Sequence, residues 1–177
     1  MDNHHIRASS PKEAPLGQLA ARQFGLVSRA QALDAGLGRG AIQRRLDSSE
    51  WLPIHPGVYR MQGAPASWEQ KLMAASLWAG PEAAISHRSA AALWKLDGID
   101  PGAVELTTTG ARNDVPKGLI LHRTKLLTPS DAGWLGALRV TGLVRTLIDL
   151  GAVERDPAIV EAAMESAMRR DEQLFDR

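Results

Sequence analysis

Between Leu26 and Met61 the chain reads LVSRAQALDAGLGRGAIQRRLDSSEWLPIHPGVYRM, and few folds accommodate that order of signals. Ser28 and Gln31 have capping-box spacing: the hydroxyl accepts from the Gln31 amide, and the Gln31 side chain reaches back to the Ser28 amide. The helix they start runs through Ala30, Ala32 and Leu33. Gly36 suits the left-handed position that ends it. Leu37 is expected to turn inward, and Gly38, a middling N-cap, opens a second helix over 39–47. Ile42 and Leu46 are four apart and share its buried side. Gly40, Gln43 and Arg44 then point the other way, with Arg39 and Arg45 on the flanks. Trp51, Ile54, Val58 and Tyr59 follow as strand residues around a Pro56-Gly57 turn. A helix over Leu16–Phe24 precedes the whole. Helix, helix, turn, helix and hairpin in this order outline a winged helix-turn-helix.

In that fold the second helix of the pair enters a DNA groove. The expected contacts are Arg39, Gly40, Gln43, Arg44 and Arg45, because arginine and glutamine reach phosphates and base edges and a glycine lets backbone approach closely. Arg29, His55 and Arg60 complete the set, His55 sitting beside the Pro56-Gly57 tip of the wing. Against this stands the plainer reading that a basic helix face is simply solvated. The three-helix context with a hairpin favours DNA.

Charge distribution points the same way. The 177-residue chain carries a formal net charge of only +1, so it is no polycation that coats nucleic acid. Within 16–60, however, Arg22, Arg29, Arg39, Arg44, Arg45 and Arg60 outnumber Asp34, Asp47 and Glu50. Within 151–177 the acids outnumber the arginines. The positive end coincides with the helix-turn-helix. At 44% apolar residues the chain can bury a core. It has no cysteine, which excludes disulfides, thiolate zinc sites and cysteine nucleophiles and suits a reducing cytoplasm. MDNHHIRASSPKEAP has no apolar segment of the kind a signal peptide needs, and no run approaches a membrane span. A cytoplasmic protein without membrane attachment is expected.

Residues 1–14 read as a disordered tail, in which His4-His5 could bind a metal only weakly and a floppy tail is the better reading. Gly63-Ala64-Pro65 reads as a boundary. Ser67 caps a helix to about Ala79. Ser86 is expected to cap another containing Ser89, Ala90, Leu93 and Trp94, and capping explains Ser86-His87-Arg88 better than catalysis, which needs a base across space and a third group to orient it. Val104–Thr108, Leu119–Thr124 and Leu138–Thr141 have strand character. Helices follow from Gly142 to about Leu150 and from Asp156-Pro157 onward. His55, His87 and His122 lack local ligand spacing, so no metal and no cofactor is expected. The fold class is therefore α+β: a winged helix-turn-helix over 15–62, then a C-terminal α/β domain with a small sheet over 63–177.

Residues 16 to about 170 resemble the AbiEi family of antitoxins and transcriptional regulators of type IV toxin–antitoxin systems. The matching words are LVSRAQALDAGLGRGAIQRRL, WLPIHPGVYRM, ISHRSAAALWKLDG, LILHRTKL and LRVTGLVRTLIDLGAV, in the expected order. The resemblance implies that the first domain represses the operon's own promoter. It implies that the second counters a nucleotidyltransferase-like toxin without a stable complex. Two departures stand out. Relatives usually carry Ser or Thr at the position of Gly38, so the cap is weaker here. Many relatives continue into a nuclease domain like that of very-short-patch-repair endonucleases, whereas this sequence stops at Arg177 without the clustered carboxylates such a nuclease needs.

Three readings result: a non-enzymatic regulator or antitoxin acting on a double-stranded operator; the DNA-targeting part of a nuclease whose catalytic half is missing; and an interaction module with a vestigial helix-turn-helix. A neighbouring toxin gene favours the first, a longer reading frame with an acid-rich metal site the second, and failure to retard DNA at low salt the third.

Overall fold

A computed structural model describes residues 13–175; the expected 1–14 tail falls almost entirely outside them. The chain divides into two compact units, Met1–Trp78 and Ala79–Arg177.

The first unit begins with α1 (Glu13–Arg22). Its C-terminal end comes two residues before Phe24, the expected last helical residue. Phe24 takes φ 56° and Gly25 φ 78°, so the chain reverses there instead of continuing the helix. Gly25 is required: a Cβ at this position would collide with the Ala64 methyl. The reversal feeds β1 (Leu26–Ser28), a three-residue strand too short for sequence periodicity to mark. The capping box forms as expected ahead of α2 (Arg29–Asp34), with Gln31 N–H donating to Ser28 Oγ at 3.1 Å and Ser28 N–H donating to Gln31 Oε1 at 2.9 Å. Gln23 joins this pair, its amide bonded both to the Gln31 side chain and to the Leu26 carbonyl, which ties the end of α1 to the start of α2. Gly36 closes α2 at φ 85°. Then α3 (Arg39–Asp47) opens behind Gly38, which offers no side-chain cap.

β2 (Trp51–His55) and β3 (Val58–Met61) form the expected hairpin, with an irregularity between Pro53 and His55. The sheet has three strands in the order β1-β3-β2, all antiparallel. Leu16, Val27, Ala32, Leu37, Ile42, Trp51 and Tyr59 make one core that holds the three helices against it. Trp51 and Tyr59 stack at 5.6 Å. The last element is α4 (Trp68–Ala79), started by Ser67 Oγ accepting from the Gln70 amide. Gln70 is buried and donates to the Phe24 carbonyl at 2.6 Å, pinning the left-handed turn.

The second unit is built on a five-stranded mixed sheet of β4 (Ala83–Ile85), β5 (Val104–Thr108), β6 (Leu119–Arg123), β7 (Ala132–Leu135) and β8 (Leu138–Thr141), in the order β6-β5-β4-β8-β7. β4 and β7 were not legible as strands; β4 is short and follows directly on a Gly-Pro turn, and β7 leaves Trp134 and Leu135 exposed. The helices are α5 (His87–Leu93), α6 (Leu143–Val153) and α7 (Pro157–Phe175). Leu150, Ala91, Leu96, Ala163 and Ala167 form the core where these helices meet. Ser86 does precede α5, but it makes no side-chain cap. Its hydroxyl turns instead to His87 Nδ1 at 2.8 Å and to Thr107 Oγ1 at 2.8 Å. Among the described residues, no helix is long and apolar enough to cross a membrane.

Candidate nucleic-acid interface

Helix α3 has one buried residue, Ile42, at 1% exposure, with Leu46 half-buried beside it. The opposite face carries Arg39, Gly40, Gln43 and Arg44, all exposed. This is the division that 3.6 residues per turn imposes on RGAIQRRLD. Gly40 meets open space: a Cβ built there has nothing within 4 Å, so the free protein does not need a glycine at this position.

The remaining expected contacts are less free. Gln43 donates to Asp47 Oδ1 at 2.8 Å along the helix, a bond it must break to read a base. Arg45 is half-buried, donates to the Ala41 carbonyl at 3.1 Å and lies 5.6 Å over the Trp51 ring. Its guanidinium therefore ties α3 to the sheet, a cation–π contact that leaves less of it for DNA. Arg29, exposed at the start of α2, sits against the wing: its amide donates to the Gly57 carbonyl at 2.7 Å, and a Cβ on Gly57 would lie 3.9 Å from Arg29 Cβ. The fold thus brings Arg29 to the His55-Pro56-Gly57 turn. His55 is half-buried, and burial lowers its pKa, which favours a neutral ring. Arg60 lies on the central strand β3, half-buried, with Leu26 and Leu52 as its cross-strand neighbours.

In the second unit the fold assembles a group that local spacing concealed. His87, Glu105 and His122 come from α5, β5 and β6, and their ligand-type atoms lie within 4.8 Å of one another. His55 belongs to the first unit and takes no part. The sequence did hold one signal, a glutamate inside the strand VELTT, whose five residues are all buried.

The first unit is thus a winged helix-turn-helix with an arginine-bearing face on its second motif helix. Residues 16–62 match the family described as transcriptional regulator, AbiEi antitoxin. The match runs from α1 through β3. No curated protein matches the chain. The match suggests a regulatory DNA-binding role for residues 16–62.

Proposed function

We propose that this protein is a sequence-specific, non-catalytic regulator of transcription that binds double-stranded operator DNA through α3 and represses its own operon as an AbiEi-like antitoxin. The observation that carries the reading is the outward face of α3, where Arg44 and Gly40 are exposed directly opposite the buried Ile42. In this reading residues 15–62 are the DNA-binding domain. Residues 63–177 counter a nucleotidyltransferase-like toxin in the cytoplasm without a lasting complex. Arg39 and Arg29 hold phosphates, and Arg29 does so from beside the wing tip. Arg44 is the free guanidinium that reads a guanine edge.

The test is retardation of promoter fragments by the full chain. Binding should fall steeply between low and moderate salt, because each phosphate contact releases counterions. Arg44→Ala is expected to cost about 1–3 kcal/mol on the operator and much less on random DNA. Equal losses on both make Arg44 a phosphate contact; no retardation at low salt overturns the reading.

Gly40→Ala separates fold from function at one position. Alanine is the better helix former by roughly 0.5–1 kcal/mol, and the space beside Gly40 is open, so stability should rise by about that amount. Operator affinity should nevertheless drop, since the new methyl stands where the helix backbone meets the groove. A stabilised variant with unchanged affinity would place the DNA surface elsewhere.

A further inference from the structure

The second unit contains a polar cluster outside the face proposed for DNA binding. Its placement follows from sheet geometry. β5 and β6 pair in parallel, with Thr107 opposite His122. Side chains two apart on a strand share a face, so Glu105, Thr107 and His122 all project to one side. The N-terminus of α5 lies on that side: Ser86 N–H donates to the Glu105 carbonyl at 3.1 Å, and Glu105 N–H donates to Ser89 Oγ at 2.9 Å. This lays the His87 ring flat on that of His122, with centroids 3.5 Å apart and planes within 14°. Glu105 Oε2 and His122 Nε2 are 2.7 Å apart, and Glu105 is 1% exposed.

The surroundings hold each group in a set orientation. The Ser86 hydroxyl, fixed by Thr107, engages His87 Nδ1 and leaves Nε2 as the uncommitted nitrogen. Arg88 approaches Glu105 Oε1 at 3.4 Å but is itself paired with Glu154 at 2.9 Å. Arg145 is likewise paired, with Asp149 at 2.8 Å and with Asp131. Glu105 thus faces Arg88 through Oε1 and His122 through Oε2. Asp149, 8% exposed, has a buried second oxygen, Oδ2, with no hydrogen-bond partner among the described residues. His87 adopts φ 51°, a left-handed conformation that a non-glycine residue holds at a cost of about 1–3 kcal/mol and that concentrates at functional sites.

We propose that His87, His122 and Glu105 form a binding site for one divalent transition-metal cation of the zinc type. Two imidazoles and one carboxylate are a zinc ligand set that leaves a fourth position open. Zinc–nitrogen and zinc–oxygen bonds of about 2.0–2.2 Å in a tetrahedron place ligand atoms roughly 3.3–3.5 Å apart. The ligand atoms, all within 4.8 Å of one another, bracket that spacing: the 2.7 Å Glu105–His122 hydrogen bond opens and the stacked rings splay so that their lone pairs converge. Ser86 and Arg88 act as the outer hydrogen-bond partners that orient ligands in such sites.

The experiment uses the full chain with His4→Ala and His5→Ala, which removes the other histidine pair. Co²⁺ is titrated first, then displaced with Zn²⁺. One Co²⁺ per chain should bind, with the visible absorption of a four- or five-coordinate nitrogen–oxygen site. Glu105→Gln and His122→Ala should each weaken binding by at least about 100-fold, and Ser86→Ala, which removes only the hydroxyl behind Nδ1, by roughly tenfold or more. Imidazole resonances of His87 and His122 in the otherwise unaltered chain are followed in parallel, so variants that fail to fold do not decide the matter. Movement of both sets of resonances at one equivalent of Zn²⁺ supports the site. The proposal is overturned if the metal is not taken up at several-fold excess, if uptake leaves both sets of resonances unmoved, or if it disappears with His4 and His5.

Discussion

Ile42→Ala is expected to destabilise the first unit by about 2–5 kcal/mol and to abolish operator binding with it. Ile42 is 1% exposed and is the one buried residue of α3. It anchors that helix among Val27, Leu37, Trp51 and Tyr59, a core drawn from all three strands of the sheet and the turn before α3. Removing its branched side chain leaves a cavity that residues from so many elements cannot easily close. The exposed face of α3 has few interactions of its own to hold the helix in place: Gln43 bonds only within the helix, and Arg45 contributes the contact over Trp51. Urea unfolding of the full chain gives the stability, and retardation below the unfolding range gives the binding. The comparison with Arg44→Ala is informative, because that variant should lose operator affinity with an unchanged urea midpoint. If Ile42→Ala unfolds like the parent chain, α3 is not held by this core.

The sequence showed the helix-turn-helix clearly because its determinants are local. A capping box, a left-handed glycine and an i,i+4 apolar pair are all read within one helical turn, and α2, α3 and the hairpin emerge where those signals stand. What was missed depends on contacts distant in the chain. β1 is strand only because Leu26, Val27 and Ser28 pair with Arg60, Tyr59 and Val58. Ser86 looked like a cap because serine before a helix usually is one; Thr107, twenty-one residues on, claims its hydroxyl instead. Arg45 belonged to the expected DNA face by helical phase alone, and only the position of Trp51 shows how much of it serves packing. The His87–Glu105–His122 cluster required a strand register, Thr107 opposite His122, that no spacing rule supplies.

Acid is expected to destabilise the second unit through His87, in metal-free protein with chelator present. The pKa of His87 is lowered from 6.5 to about 4, chiefly by burial and then by neighbouring His122; Asp149 and Glu105 oppose the shift without cancelling it. The unfolded chain therefore binds a proton that the folded chain excludes. With the folded value depressed, stability is fully present above the unfolded value of 6.5 and is lost as pH falls from there toward 4. At about 1.4 kcal/mol per unit the whole window is worth on the order of 3 kcal/mol. Glu105, Asp131 and Glu154 also have lowered values, but carboxylates lose their stabilisation below their own unfolded values of 4.5, 3.8 and 4.5, in a more acid range. His55 is shifted in the same direction as His87 by its own burial in the first unit, so it needs its own control. Thermal unfolding between pH 7 and 4 should show the loss in the parent chain and in His55→Ala. It should be largely gone in His87→Asn, where asparagine tolerates the left-handed backbone but carries no titrating group. Bound zinc should steepen the loss instead, because coordination keeps protons off the folded chain's ligands while the unfolded chain still takes them up. A pH slope that His87→Asn leaves intact would assign the acid sensitivity to another group.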